Sequence, residues 1–235
     1  MSGTRATQLP LPLPAATASY DPADLIEDAS NAEALAWLDR PQDWPFGRIA
    51  LWGEPKSGKT HLLAWAAARH GFAALPGGGP TLRDLPELPA AAGVVLDDAD
   101  RVTDEPALFH LINLCAERGV RLLLAGRVPP ARWPVELPDL RSRLRGTAAV
   151  PVHPPGEVLL DALLAKHFAD RQLRVDGGFR AWLLARLPRD AATIAAAAAR
   201  LDRACLAAGG RLTRRLALAA LADLAEGGAA SVDDD

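Results

Sequence analysis

Between Gly47 and residue 152, short apolar runs alternate with amphipathic stretches. The runs at 48–52, 72–75, 93–97, 121–125 and 148–152 are largely apolar at successive positions, the pattern of strands covered on both faces. Near 60–70, 105–118 and 137–145 the apolar residues recur at three- and four-residue spacing, which predicts helices. Alternation of the two predicts an α/β domain built on a parallel sheet. Upstream, Ser30 reads as the N-cap of a helix from Asn31 to Leu38 that stops ahead of Pro41. After Pro154-Pro155 the strand signal ends, and helical patterns at 156–170, 178–187, 190–208 and 213–225 predict a small all-α module. Gly177-Gly178, Pro188 and Gly209-Gly210 separate these helices. The expected division is a flexible tail at 1–20, an α/β domain at 21–153, a helical domain at 154–226 and a disordered acidic tail at 227–235.

Composition narrows the function classes. At 235 residues and 49% hydrophobic positions, the chain can bury one good core and a small second one. A formal charge of −3 argues against a protein whose main work is gripping duplex DNA, which requires clustered Lys and Arg; no sequence-specific DNA binding is expected. Local basic stretches such as Arg141 to Arg145 remain. No run reaches the roughly 18 apolar residues of a membrane span, and Met1-Ser2-Gly3-Thr4-Arg5 lacks the apolar stretch of a secretion signal, so a cytoplasmic protein is expected. Cys115 and Cys205 lie far apart in helical patterns and read as buried thiols, and the five histidines show no metal-ligand spacing.

The chemistry concentrates at Gly53-Glu54-Pro55-Lys56-Ser57-Gly58-Lys59-Thr60, which fits G-x-x-x-x-G-K-[ST] without a mismatch. Glycines let the backbone curl so that its N–H groups face phosphates, Lys59 reaches the β and γ oxygens, and the Thr60 hydroxyl can ligate magnesium. The strand Arg48 to Trp52 precedes the motif and a helix beginning near His61 follows, the context that a phosphate loop needs. Gly53, Ser57, Gly58, Lys59, Thr60 and His61 are therefore candidate contacts for ADP or ATP. A second segment, Val94-Val95-Leu96-Asp97-Asp98, resembles a Walker B strand. Asp97 would support Mg2+ with Thr60, and Asp98 would orient or deprotonate the attacking water.

This order of motifs, followed by a helical module, is the layout of AAA+ ATPases, and the chain resembles the DnaA branch, specifically the DnaA-related regulatory inactivators of the Hda family. Leu25-Ile26-Glu27-Asp28-Ala29-Ser30-Asn31 is similar to the segment lining the adenine pocket, which implies Leu25 and Ile26 as base contacts. Leu122 to Pro130 resembles the family's strand-then-proline element, and Leu137-Pro138-Asp139-Leu140-Arg141-Ser142-Arg143-Leu144 its arginine-finger box, which implies Arg143 as the finger. The likeness covers residues 25 to 225 and implies an AAA+ α/β domain followed by a helical lid domain. Gln8-Leu9-Pro10-Leu11-Pro12-Leu13 is similar to the hexapeptide with which Hda-type proteins dock on the replicative sliding clamp, and implies Gln8, Leu9, Leu11 and Leu13 as clamp contacts.

The chain also departs from the family pattern. Ala125 and Gly126 stand where a polar sensor would read the γ-phosphate, and Ala192 stands where a second sensor arginine is expected, with Arg127 and, one turn before Ala192, Arg189 as candidate replacements. Because the last helical pattern lies within about ten residues of the end, with no helix-turn-helix segment after it, the expectation is a regulator and not the initiator itself. The reading is a weakly hydrolysing, clamp-tethered protein that supplies Arg143 to ATP-loaded DnaA, with homo-oligomers possible and no membrane partner. An autonomous ATPase or helicase loader, and a nucleotide-locked adaptor, are the alternatives it leaves open.

Overall fold

The computed structural model describes residues 25–75, 91–209 and 211–226. The tails expected at 1–20 and 227–235, and with them Gln8, Leu9, Leu11 and Leu13, lie outside the described residues. Five parallel strands form one sheet in the order β2-β3-β4-β1-β5. These are β1 (Arg48–Trp52), β2 (Phe72–Ala74), β3 (Gly93–Leu96), β4 (Arg121–Gly126) and β5 (Ala148–Pro151). Around them run α1 (Ala32–Leu38), α2 (Lys59–His70), α3 (Glu105–Arg118) and α4 (Pro138–Arg145).

The continuous apolar runs are explained by burial on both faces. Ile49, Leu51, Val95, Leu123, Ala125 and Val150 pack with α1 and α2, while Ala50, Val94, Leu96, Leu122 and Leu124 pack with α3 and α4. Each buried Leu or Ile contributes about 1.5–3 kcal/mol on leaving water. A strand facing solvent on one side would have shown alternation instead. After β1 the chain runs to the β2 edge, returns through β3 and β4, and then passes beyond β1 to β5. That reversal puts a crevice at the carboxyl ends of β1 and β4, where ligands of open α/β sheets bind.

The remaining helices, α5 (Glu157–Asp170), α6 (Gly177–Leu184), α7 (Ala191–Ala207) and α8 (Arg214–Glu226), share a separate core around Leu164, Phe168, Ile194 and Leu201. Asp176 and Asp190 cap α6 and α7 by accepting from the backbone N–H three residues on. The cap expected at Ser30 is displaced. Helix α1 begins at Ala32 with Asn31 in the cap position, because Ser30 bonds to Asp28 and Asn31 turns its amide back to the Ile26 carbonyl at 2.9 Å. Among the described residues, no helix is long and apolar enough to cross a membrane.

Candidate nucleotide site

The loop between β1 and α2 is shaped by its glycines. A Cβ at Gly53 would lie 2.1 Å from the Val152 carbonyl oxygen, so only glycine fits where β1 leaves the sheet beside β5. The Gly53 N–H donates to the Gly126 carbonyl at 3.3 Å, joining the loop to the end of β4. Lys56 at φ 68° and Gly58 at φ 100° then fold the backbone over the start of α2. A left-handed curl at the amino end of a helix is the backbone form that offers N–H groups to an anion; within this loop the Ser57 N–H donates to the Glu54 carbonyl at 3.3 Å.

Three side chains meet inside it. The Lys59 ammonium is buried and donates to the carbonyls of Gly53 and Glu54, each at 2.8 Å. Burial pulls its pKa below the ordinary lysine value; Asp97, Asp98 and Asp100 oppose that shift, and Arg127 adds to it. The Thr60 hydroxyl donates to Asp97 Oδ2 at 2.6 Å, so the two residues singled out for magnesium are adjacent. A hydroxyl and a carboxylate are hard oxygen donors and fit Mg2+, which takes few protein ligands and completes its shell with phosphate and water. Among the described residues, no group of three or more His, Cys, Asp and Glu makes an all-protein metal cage. Asp98 follows with φ 48°, its N–H on Asp97 Oδ1 at 2.9 Å and its carboxylate exposed, 3.9 Å from Arg101.

Leu25 and Ile26 line a cleft on the other side of the loop, together with His61, Leu159, Leu163 and Ala191. They are held there by the amide of Asn31, which donates to the Ile26 carbonyl, and by the His153 N–H on the Ser30 carbonyl at 3.0 Å. The cleft thus has one wall from the sheet domain and one from α5 and α7. An apolar slot beside a phosphate loop is suited to a flat base.

At the end of β4, Ala125 is fully buried, and a Cβ at Gly126 would come within 3.0 Å of Trp133 and 3.2 Å of Asp100. The strand therefore ends in two residues without a polar side chain, packed tightly against Trp133 and Asp100. The Arg127 N–H is fixed by Asp100 Oδ2 at 2.9 Å, while Asp100 Oδ1 is buried with no partner among the described residues. The C-terminal bundle differs from expectation in two ways. The first-turn residue of α7 that lines the cleft is Ala191, whereas Ala192 is exposed. Arg189 lies outside α7 and is bonded to Glu157 at 2.6 Å, so it does not stand one helical turn before Ala192.

Arg143 is elsewhere. It sits on α4 just before the turn into β5, whose Ala148 is in register with Ile49 near the start of β1. The phosphate loop leaves the far end of that strand, about 13 Å away at strand rise. Among the described residues nothing bonds to the exposed Arg143 guanidinium, whereas Arg141 is tied to the Val135 carbonyl. Sequence reasoning did not single out Lys56 and Asp190, which pair beside the loop, or Asp100, which holds the Arg127 N–H at the end of β4. The Asp-Asp-x-Asp spacing of Asp97, Asp98 and Asp100 was the one available signal.

No protein-family model matches the chain. Among solved structures it is similar to domain III of the Thermotoga maritima replication initiation protein DnaA, with a TM-score of 0.72 at 15% identity over 89% of this chain and 98% of that one. It is also similar to AMPPCP-bound DnaA from Aquifex aeolicus, at 0.62 and 16% identity over 83% of this chain and 67% of that one, so it spans about two thirds of that longer protein. A Thermotoga maritima RuvB mutant matches at 0.62 and 14% identity, over 83% and 68% of the two chains. At these identities the likeness shows the fold: a parallel-sheet P-loop α/β domain of the AAA+ type with a helical bundle attached.

Proposed function

We propose that the chain binds ADP or ATP with Mg2+ and regulates replication initiation by supplying Arg143 to the nucleotide of DnaA. The observation that carries this reading is the placement of charge. The phosphate loop lies at the carboxyl edge of the sheet, and an exposed arginine lies at the amino edge, out of reach of the chain's own loop. Residues 21–153 act as the nucleotide domain and 154–226 as its lid. Lys59 and the loop N–H groups hold the phosphates, Thr60 and Asp97 the magnesium, and Leu25, Ile26 and His61 the base. Bound Mg2+ would draw charge from the phosphate oxygens.

In this reading Asp98 orients the attacking water, while the end of β4, Ala125 and Gly126, offers no polar side chain to read the γ-phosphate. The chain alone is therefore a slow hydrolase at most, and a guanidinium given to a neighbouring active site is the effective group, since such fingers supply about 10³ to 10⁵ in rate. Gln8, Leu9, Leu11 and Leu13 tether the chain to the sliding clamp.

The test is turnover of DnaA-bound ATP with and without this chain and DNA-loaded clamp. Stimulation that needs both, and that Gln8→Ala removes, is expected. Rapid hydrolysis by the chain alone would instead favour the autonomous ATPase reading.

A further inference from the structure

Lys56 is the fourth residue of the phosphate loop and holds φ 68°, a conformation that glycine adopts freely and that a residue with a side chain adopts against steric resistance. The loop keeps a lysine there nonetheless. Its ammonium donates to Asp190 Oδ2 at 3.1 Å, across 134 residues of sequence and from the sheet domain to the C-terminal bundle. The partners are unlike, since the Lys56 side chain is 64% exposed and that of Asp190 only 4%. Asp190 cannot swing to follow the lysine. Its Oδ1 accepts from the Thr193 N–H and its Oδ2 from the Thr193 hydroxyl, both at 2.7 Å, which locks the carboxylate onto the first turn of α7.

An ammonium has three donors. Asp190 engages one, and among the described residues nothing engages the other two. Lys56 lines the cleft beside Ser57, Gly58 and His61, whereas the bundle contributes Pro155, Leu159, Leu163 and Ala191 to that wall. None of those four is a cation, and Arg189, next to Asp190 in sequence, is not among the residues lining the cleft and pairs with Glu157. The positive charge facing the cleft from this side therefore comes from the loop.

From this geometry we infer that Lys56 is a second phosphate-binding lysine of the nucleotide site and that Asp190 is the positioning residue which holds it there from the helical bundle. The inference rests on the nucleotide reading above. It has a structural consequence: a phosphate held by Lys56 is linked through Asp190 to α7, so nucleotide binding tightens the seat of the bundle on the loop.

Calorimetric titration of the full chain with Mg-ADP and with adenosine, at low and raised salt, tests it in the parent, Lys56→Gly, Asp190→Asn and the double variant. Glycine suits φ 68° and asparagine can cap α7 through its remaining oxygen, but both changes break the bond between the loop and α7, so the melting temperature of each variant is measured beside its affinity and binding is compared at a temperature where every variant is folded. Lys56→Gly should lose about tenfold in ADP affinity and show a weaker salt dependence, with adenosine binding unchanged. Asp190→Asn should lose about threefold, and the double variant no more than Lys56→Gly alone, the non-additivity of two residues that act as a unit. Equal loss for ADP and adenosine, or additive losses in the double variant, would overturn the inference. A parent that binds no ADP overturns the nucleotide reading and this inference together; a parent that binds ADP, with Lys56→Gly binding it equally well, overturns this inference alone.

Discussion

Arg48 Nη2 donates to the Arg143 carbonyl oxygen at 3.2 Å, so the first residue of β1 holds the last turn of α4. Arg48 Nε also donates to the Thr147 hydroxyl at 2.9 Å, and that hydroxyl donates to the same carbonyl at 3.0 Å. Burial, together with the nearby charge of Arg143, lowers the Arg48 pKa from its ordinary value. The network fixes the backbone of Arg143 and leaves its guanidinium in solvent. Arg48→Met should therefore destabilise the fold by about 1–3 kcal/mol, the range for lost hydrogen bonds to buried groups, and should weaken stimulation of DnaA as well. An unchanged denaturation midpoint with unchanged stimulation would show that the network does not position the arginine.

Gly53 is expected to be the least replaceable residue of the loop. A Cβ there would meet backbone, and neither the Val152 carbonyl nor β1 can yield without disturbing the sheet edge. Gly53→Ala should lower the melting temperature and abolish ADP binding. Lys59→Ala should leave the fold in place and cost about tenfold or more in affinity, since a methyl group cannot replace a charge-assisted contact to phosphate. Calorimetry on both variants separates the two effects; a Gly53→Ala chain that melts and binds as the parent does would refute the steric argument.

Burial pushes the Cys115 thiol up to about 11 from its ordinary 9.0, against a smaller opposing effect of Arg118. The folded value lies above the unfolded one, so the neutral thiol adds stability below about pH 9 that is lost as pH rises through about 11. In a Cys205→Ser background, Cys115 should be nearly inert to a thiol reagent at pH 8, with labelling rising about tenfold per pH unit until the fold opens. Fast labelling at pH 8 would contradict the buried placement.

How far these features were legible in the chain depends on whether they are local. Arg48 to Trp52 read as a buried strand because both of its faces are covered, and the phosphate loop read as one because its glycine spacing is a property of contiguous residues. Ser30 was misread since a cap depends on where a side chain turns, and Asp28 and the Ile26 carbonyl took the groups that would have closed α1. The place of Ala191 on the cleft depends on the rotation of α7, which spacing fixes only to within a residue. Lys56 and Asp190 were invisible as a pair, because a contact across 134 residues is set by how the bundle docks and leaves no periodic trace.

The central claim is that Arg143 acts on a neighbour's nucleotide, and single-turnover hydrolysis of DnaA-bound ATP with clamp-loaded parent, Arg143→Ala and Arg141→Ala chains tests it most directly. Arg143→Ala should keep its own ADP affinity and its melting temperature yet lose stimulation by about a hundredfold or more, while Arg141→Ala, whose guanidinium is committed to the Val135 carbonyl, should lose much less. Full stimulation by Arg143→Ala would contradict the account.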